Sequence, residues 1–102
     1  MGNNFIDQYS YLHVSVGVIF YFWGFSLKNW IIIHILFEIF ENTKIGIQFI
    51  NNINIWPGGK PKSDSIINII GDIIFGTLGW ISAYYLDKLG NKYGWYNMHI
   101  KN

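Results

Sequence analysis

His34, Glu38 and Glu41 stand four and three residues apart, a spacing that places all of them on one face of a helix. Neutral imidazole together with carboxylates is a donor set for Zn2+, Mn2+ or Fe2+. The His-Glu-x-x-His pair of zinc enzymes is absent, and spacing fixes no fourth ligand. A second group follows in Asp64, Asn68 and Asp72, again on one helical face. Glu41 and Asp72, brought together in a low dielectric, cannot both ionise easily and would share a proton. Such a pair serves as general acid and base, or simply as a hydrogen bond between helices. Asn42 and Asn68 each offer a donor and an acceptor, suited to orienting a carboxyl group or a phosphate. The plainer reading of either amide is a bond between helices. Gly58-Gly59-Lys60 could form an anion nest, but it lacks the full phosphate-loop pattern and reads better as a turn. His13 is equally a packed residue or a ligand, and His99 reads as solvated.

These groups sit in an apolar chain. Apolar residues make up 51% of its 102 residues and charged ones 13%, against about 25% charged in a soluble domain. A soluble helical hairpin would need charged outer faces that the apolar segments do not have. The seven basic residues are all Lys and are scattered, and the net charge is +1. Without Arg there is no planar fork for phosphates or base edges, so nucleic acid is not an expected partner. Cysteine is absent, which excludes disulfides and thiolate metal sites. No signal peptide is evident, because no positive stretch precedes the first apolar run.

The pattern predicts an all-α, single-domain, multi-pass integral membrane bundle of about three transmembrane helices. They are placed at about 9–26, 29–54 and 64–88, with a loop at 55–63 and an interfacial tail at 89–102. The first segment is nearly uncharged, with Tyr9 and Tyr11 near one end and Trp23 near the other, as an aromatic belt would be. In the second, His34, Glu38, Glu41, Gln48 and Asn52 form one stripe amid Ile, Phe and Leu, a stripe turned toward protein. Pro57, Pro61 and the paired glycines end that helix, and Ser63 or Asp64 can cap the next. The third segment lines up Asp64, Asn68, Gly71, Asp72, Gly79, Ser82 and Ala83, and small residues there let helix backbones approach closely. The N-terminus and the Pro/Gly loop share one side, but the lysine counts of the two sides are too even to orient the bundle.

A rise of about 1.5 Å per residue puts Glu41 about 18 Å down the second helix and Asp72 about 12 Å up the third. In a core about 30 Å thick the two acids then lie at similar depth. The same count puts His13 level with Asn68, nearer one surface. A charge at mid-bilayer costs about 2.5–3.5 kcal/mol, so several together must be paired, protonated, hydrated or bound to a cation.

The run from Phe37 through Glu38, Glu41, Asn42 and Thr43, then Asp64-Ser65, Asn68, Asp72 and Phe75, then Leu78-Gly79, resembles an uncharacterised family of small alphaproteobacterial membrane proteins. That family carries Glu-x-x-Glu-Asn, then Asp-Ser-x-x-Asn-x-x-x-Asp-x-x-Phe, then Leu-Gly. The likeness spans residues 30–80, with Ser63 standing where the family usually has Gly. More distantly, the His/Glu helix followed by Asp-x-x-x-Asn-x-x-Gly looks like the VanZ-like membrane proteins. The resemblance implies a membrane location and points to the same acids; it implies no reaction.

The leading expectation is a membrane protein acting on or binding a lipid or lipid-linked substrate. Glu38, Glu41 and Asp72 would be the acid/base or cation-binding groups. His34, Asn42, Asp64, Asn68 and Lys60 would bind or orient, and a divalent cation would be held by His34, Glu38 and Glu41. The alternatives are a structural or assembly protein without chemistry, and a proton or cation path. Membrane lipids are the expected partners, with a homo-oligomer a further option.

Overall fold

The computed structural model describes residues 2–95. The described chain is all helical: α1 (Gln8–Phe22), α2 (Leu27–Glu41), α3 (Lys44–Asn51) and α4 (Ile66–Tyr93). Asp7 opens α1 with a capping box, its side chain accepting from the first turn while Ser10 answers the Asp7 N–H. Ser26 caps α2 after a turn in which Gly24 takes φ +91°, a backbone conformation that favours glycine. Helix α4 is the spine. α1 lies along it, and α2 packs on it beside α1.

The second helix does not run from 29 to 54 as its periodicity suggests. It stops at Glu41, where the Asn42 amide donates to the Glu38 carbonyl at 2.7 Å and the Asn42 backbone leaves helical geometry. Thr43 then serves both sides of the break: its hydroxyl donates to the Phe40 carbonyl at 2.7 Å and accepts from the Gly46 N–H at 3.0 Å. Gly46 sits so close to that carbonyl that a side chain there would overlap it. Local side-chain bonds thus outcompete the continuous ladder. Gln48 and Asn52, assigned to the inward stripe, are exposed on and just beyond α3.

Helix α4 starts at Ile66 with Ser65 as its cap, not Ser63 or Asp64, so Asp64 lies outside the helix that carries Asn68 and Asp72. It continues past 88 to Tyr93 and ends at Gly94, whose φ of +67° closes the last turn onto the Gly90 carbonyl. Residues 89–93 of the expected tail are therefore helical. The rest of the tail, with His99, lies mainly outside the described residues.

Glycine sets the helix spacing. A Cβ on Gly17 would overlap the Gly76 carbonyl, and one on Gly79 would overlap the Val14 carbonyl. Backbone therefore touches backbone across α1 and α4, as the small-residue face suggests. Ser82, grouped with that face, is exposed and bonds back to the Gly79 carbonyl. Two indoles fasten the bundle: Trp30 donates to the Gly76 carbonyl at 3.0 Å, and Trp80 donates to the Phe25 carbonyl at 2.9 Å.

The distribution of side chains is inverted relative to a water-soluble domain. The buried polar residues are Ser10, His34, Glu38, Asn68, Asp72 and Asp87, whereas the buried apolar ones are Trp30, Ile50 and Ala83. Leu36, Ile39, Ile67, Leu78 and Leu86 are all exposed. Among the described residues α4 is the one helix long and apolar enough to cross a membrane. Helices α1 and α2 have 15 residues each, a rise of about 22 Å against a hydrocarbon core of about 30 Å.

Candidate polar site at the junction of the helices

Position 13 of α1, positions 34 and 38 of α2 and position 72 of α4 converge. His13 Nε2 lies 3.3 Å from Asp72 Oδ2 and 4.0 Å from Glu38 Oε2. His13 Nδ1 and His34 Nε2 are 3.1 Å apart, so one donates and the other accepts according to tautomer. His34 Nε2 is 3.5 Å from Glu38 Oε2, too long for a good hydrogen bond. Glu41 joins from the last turn of α2: one donor atom from each of His13, Glu38, Glu41 and Asp72 falls within 4.8 Å of the others. His13, His34 and Glu38 meet the same limit as a second grouping.

The imidazoles are held by stacking. Phe20 lies on Trp30 (4.3 Å between centroids), Trp30 on His34 (4.7 Å) and His34 on His13 (5.1 Å). Gly76 makes room for the His34 ring, which a Cβ there would strike. The site is nearly dry: Glu38 is 1% exposed and Asp72 3%. Its polarity is not fully answered. Both oxygens of Glu38, Oδ1 of Asp72 and Nδ1 of His34 are buried without a hydrogen-bond partner, a condition that costs about 1–3 kcal/mol per group, more when charged.

Four residues read from sequence as binding groups build the frame beside this cluster. Lys60 Nζ donates to Asp64 Oδ2 at 2.7 Å and to Asn42 Oδ1 at 2.8 Å, and the Asp64 N–H donates to the same Asn42 oxygen at 2.7 Å. Asn51 pairs with the Lys60 backbone through both its amide atoms. The end of α2, the loop and the approach to α4 are thereby tied together. The Asn68 amide donates to the Asn4 carbonyl at 2.7 Å and to Asp7 Oδ2 at 3.1 Å, which fastens the N-terminal arm over the start of α4.

Two openings lead to the cluster. A mixed cavity of about 60 Å3 lies under the loop: His13, Glu41, Lys60, Asp64, Asn68 and Asp72 edge it, while Leu12, Phe37, Ile47, Ile50 and Trp56 also form its walls. That is room for a few waters. An apolar crevice of about 360 Å3 runs between α1 and α2, with Val16, Phe20, Trp23, Ile33 and His34 on its walls. Leu12, His13, Phe37 and Trp56 line both.

His13 is the residue that sequence reasoning left undecided; the structure puts it at the centre. Asn68, expected at its level, lies one turn away beside Asp7. The signal available was a lone histidine in an otherwise uncharged segment. Asp87 went unnoticed as well: it is buried and accepts a hydrogen bond of 2.5 Å from the Tyr21 hydroxyl, joining the far ends of α1 and α4.

Comparison with known proteins gives no match to a family model, to a curated protein or to a solved structure.

Proposed function

We propose that the chain is embedded in a membrane as a multi-pass bundle of α1, α2 and α4, and that it binds a lipid or lipid-linked molecule. The head group would lie against the charged and amide side chains of the cavity under the loop, and the tail in the crevice between α1 and α2. The observation that carries this reading is the meeting at His13 of a small cavity edged by Glu41, Lys60, Asp64, Asn68 and Asp72 with a crevice walled almost wholly by apolar side chains. An amphiphile matches that junction, and a purely polar or purely apolar ligand matches only half of it. The crevice volume of about 360 Å3 falls within the usual range of small-molecule sites, about 300–1,000 Å3. The inverted packing supports the membrane placement, since exposed Ile and Leu around buried acids are stable in lipid and costly in water. Helices α1 and α2 are short, and a span of about 22 Å would be completed by local thinning of the bilayer.

In this reading Glu38, Glu41 and Asp72 are the acid/base candidates: Glu41, Asp72 and His13 would face a head group directly, with Glu38 behind them. Asn42, Asp64, Asn68 and Lys60 hold the loop and arm that roof the cavity. The test is lipid analysis of the full chain purified from membranes in mild detergent. The wild type should retain about one lipid per chain. Leu12→Trp, which fills the meeting point of the two cavities, should lose it with helix content unchanged. Equal lipid in both, or none in the wild type, would remove the reading.

A further inference from the structure

Three carboxylates converge in this cluster with no cation among them. Lys60 is the basic side chain lining the adjoining cavity, and its ammonium is already committed to Asp64 and Asn42. The imidazoles are the remaining compensating groups. Buried carboxylates in such a place must be protonated, paired or bound to a metal. The geometry favours the last. Glu38 is 1% exposed; neither of its oxygens has a well-formed hydrogen bond, though Glu41 lies beside it and His34 Nε2 is 3.5 Å from Oε2, and one oxygen falls within 4.8 Å of donor atoms from His13, Glu41 and Asp72. Asp72 is 3% exposed, with one oxygen 3.3 Å from His13 Nε2 and the other unserved.

We propose that His13, Glu38, Glu41 and Asp72 bind a divalent transition-metal ion at the junction of α1, α2 and α4. Ligand bonds of about 2.0–2.2 Å set donor atoms about 3.3–3.6 Å apart around a tetrahedral ion, and about 3 or about 4.2 Å apart around an octahedral one. The His13–Asp72 distance of 3.3 Å fits the tetrahedral sphere, and the His13–Glu38 distance of 4.0 Å reaches it with closure by about half an ångström. The remaining separations all fall within 4.8 Å, so closure by at most about 1.3 Å completes a tetrahedral sphere, within the reach of rotations at Glu38 and Glu41. His13 would bind through Nε2. Its Nδ1–H then donates to His34 Nε2, so the tautomer is fixed by a neighbour, as for most ligating histidines. His34 is a positioning residue in this arrangement, held by its stack on Trp30. This differs from the single-helix set of His34, Glu38 and Glu41: the ion would draw ligands from three helices and lock them together. One imidazole with carboxylates suits Zn2+, Fe2+ or Mn2+, and the usual affinity order places Zn2+ above Mn2+. The site stands whether or not a lipid occupies the crevice.

The experiment is equilibrium dialysis of the full chain in detergent against Zn2+ and Mn2+, with metal content read by mass spectrometry. Zn2+ should bind at about one equivalent, more tightly than Mn2+, and excess Mg2+ should not displace it. Asp72→Asn and His13→Gln should each weaken Zn2+ at least tenfold with helix content kept. Lys28→Met, at the exposed start of α2, should bind as the wild type does. Should an acid variant fail to fold, X-ray absorption of the Zn2+-loaded wild type decides the matter: the site predicts one imidazole among oxygen ligands. Failure of the wild type to bind either ion at micromolar levels would overturn the proposal. So would undiminished binding in a folded His13→Gln, or a spectrum without imidazole.

Discussion

Replacing Gly17 with Ala should loosen both the bundle and the site. The new methyl would overlap the Gly76 carbonyl and come within 2.9 Å of the Trp80 nitrogen. Carbon contacts are comfortable at about 3.5–4.0 Å, so α1 and α4 must separate by roughly 1 Å. Overpacking of this kind costs about 1–3 kcal/mol. The obstruction here is backbone, which has no alternative rotamer, so the upper half of that range applies. Alanine regains about 1 kcal/mol of helix propensity over glycine, leaving a net loss of about 1–2 kcal/mol. The same movement reaches the site, because His13 and Asp72 each lie one turn from the contact and are only 3.3 Å apart. Unfolding should be followed by circular dichroism as the fraction of denaturing detergent rises in mixed micelles. Gly58→Ala is the control, since its Cβ would meet nothing nearer than 3.6 Å. It should fall within about 0.5 kcal/mol of wild type. A Gly17→Ala protein as stable as wild type would refute the close helix contact.

Other substitutions probe the remaining joints. Tyr21→Phe removes the hydroxyl that donates to the buried Asp87 and should cost about 1–3 kcal/mol in the same unfolding measurement. Asn42→Ala strips the acceptor shared by Lys60 and Asp64. It should cost about 2 kcal/mol and speed cleavage at Lys60 and Lys62 by a lysine-specific protease several-fold, because the loop opens locally. Thr43→Ala removes the cap of α3 and should cost about 1 kcal/mol, with little effect on lipid or metal retention.

Helix type and much of the inner face were legible in the sequence. The polar residues at 34, 38, 68 and 72 recur at helical spacing and are all buried, and Gly71, Gly79 and Ala83 form the expected close-packed face. The break after Glu41 was not legible by periodicity. Asn42 and Thr43 continue a helical pattern as well as they end one, and side-chain bonds to Glu38 and Phe40 decide between the two. The end of α4 slipped for a related reason, since the polar run after Asp87 reads as a tail until Gly94 supplies the stop. The site itself was half visible. Spacing groups residues within one helix, and so it found Glu38, Glu41 and Asp72. It could not show which level of α1 meets them. That register depends on Asp7 bonding to Asn68 and on Gly17 meeting Gly76, contacts between distant parts of the chain. A count from the segment ends therefore placed His13 one turn from its partners.

The proposed membrane placement puts the polar site inside a bilayer, surrounded by outward-facing Ile and Leu. The chain has no cysteine, so single spin labels can be attached at will. Ile19→Cys, Ile35→Cys and Ile74→Cys mark the outer faces of α1, α2 and α4, and Ile55→Cys marks the loop, where Ile55 is 93% exposed. Collision with oxygen and with a water-soluble nickel complex, measured by electron paramagnetic resonance in vesicles, reports depth. The helix labels should be reached by oxygen and shielded from nickel, with the loop label the reverse. Nickel access at Ile19 and Ile35 equal to that at Ile55 would contradict that placement.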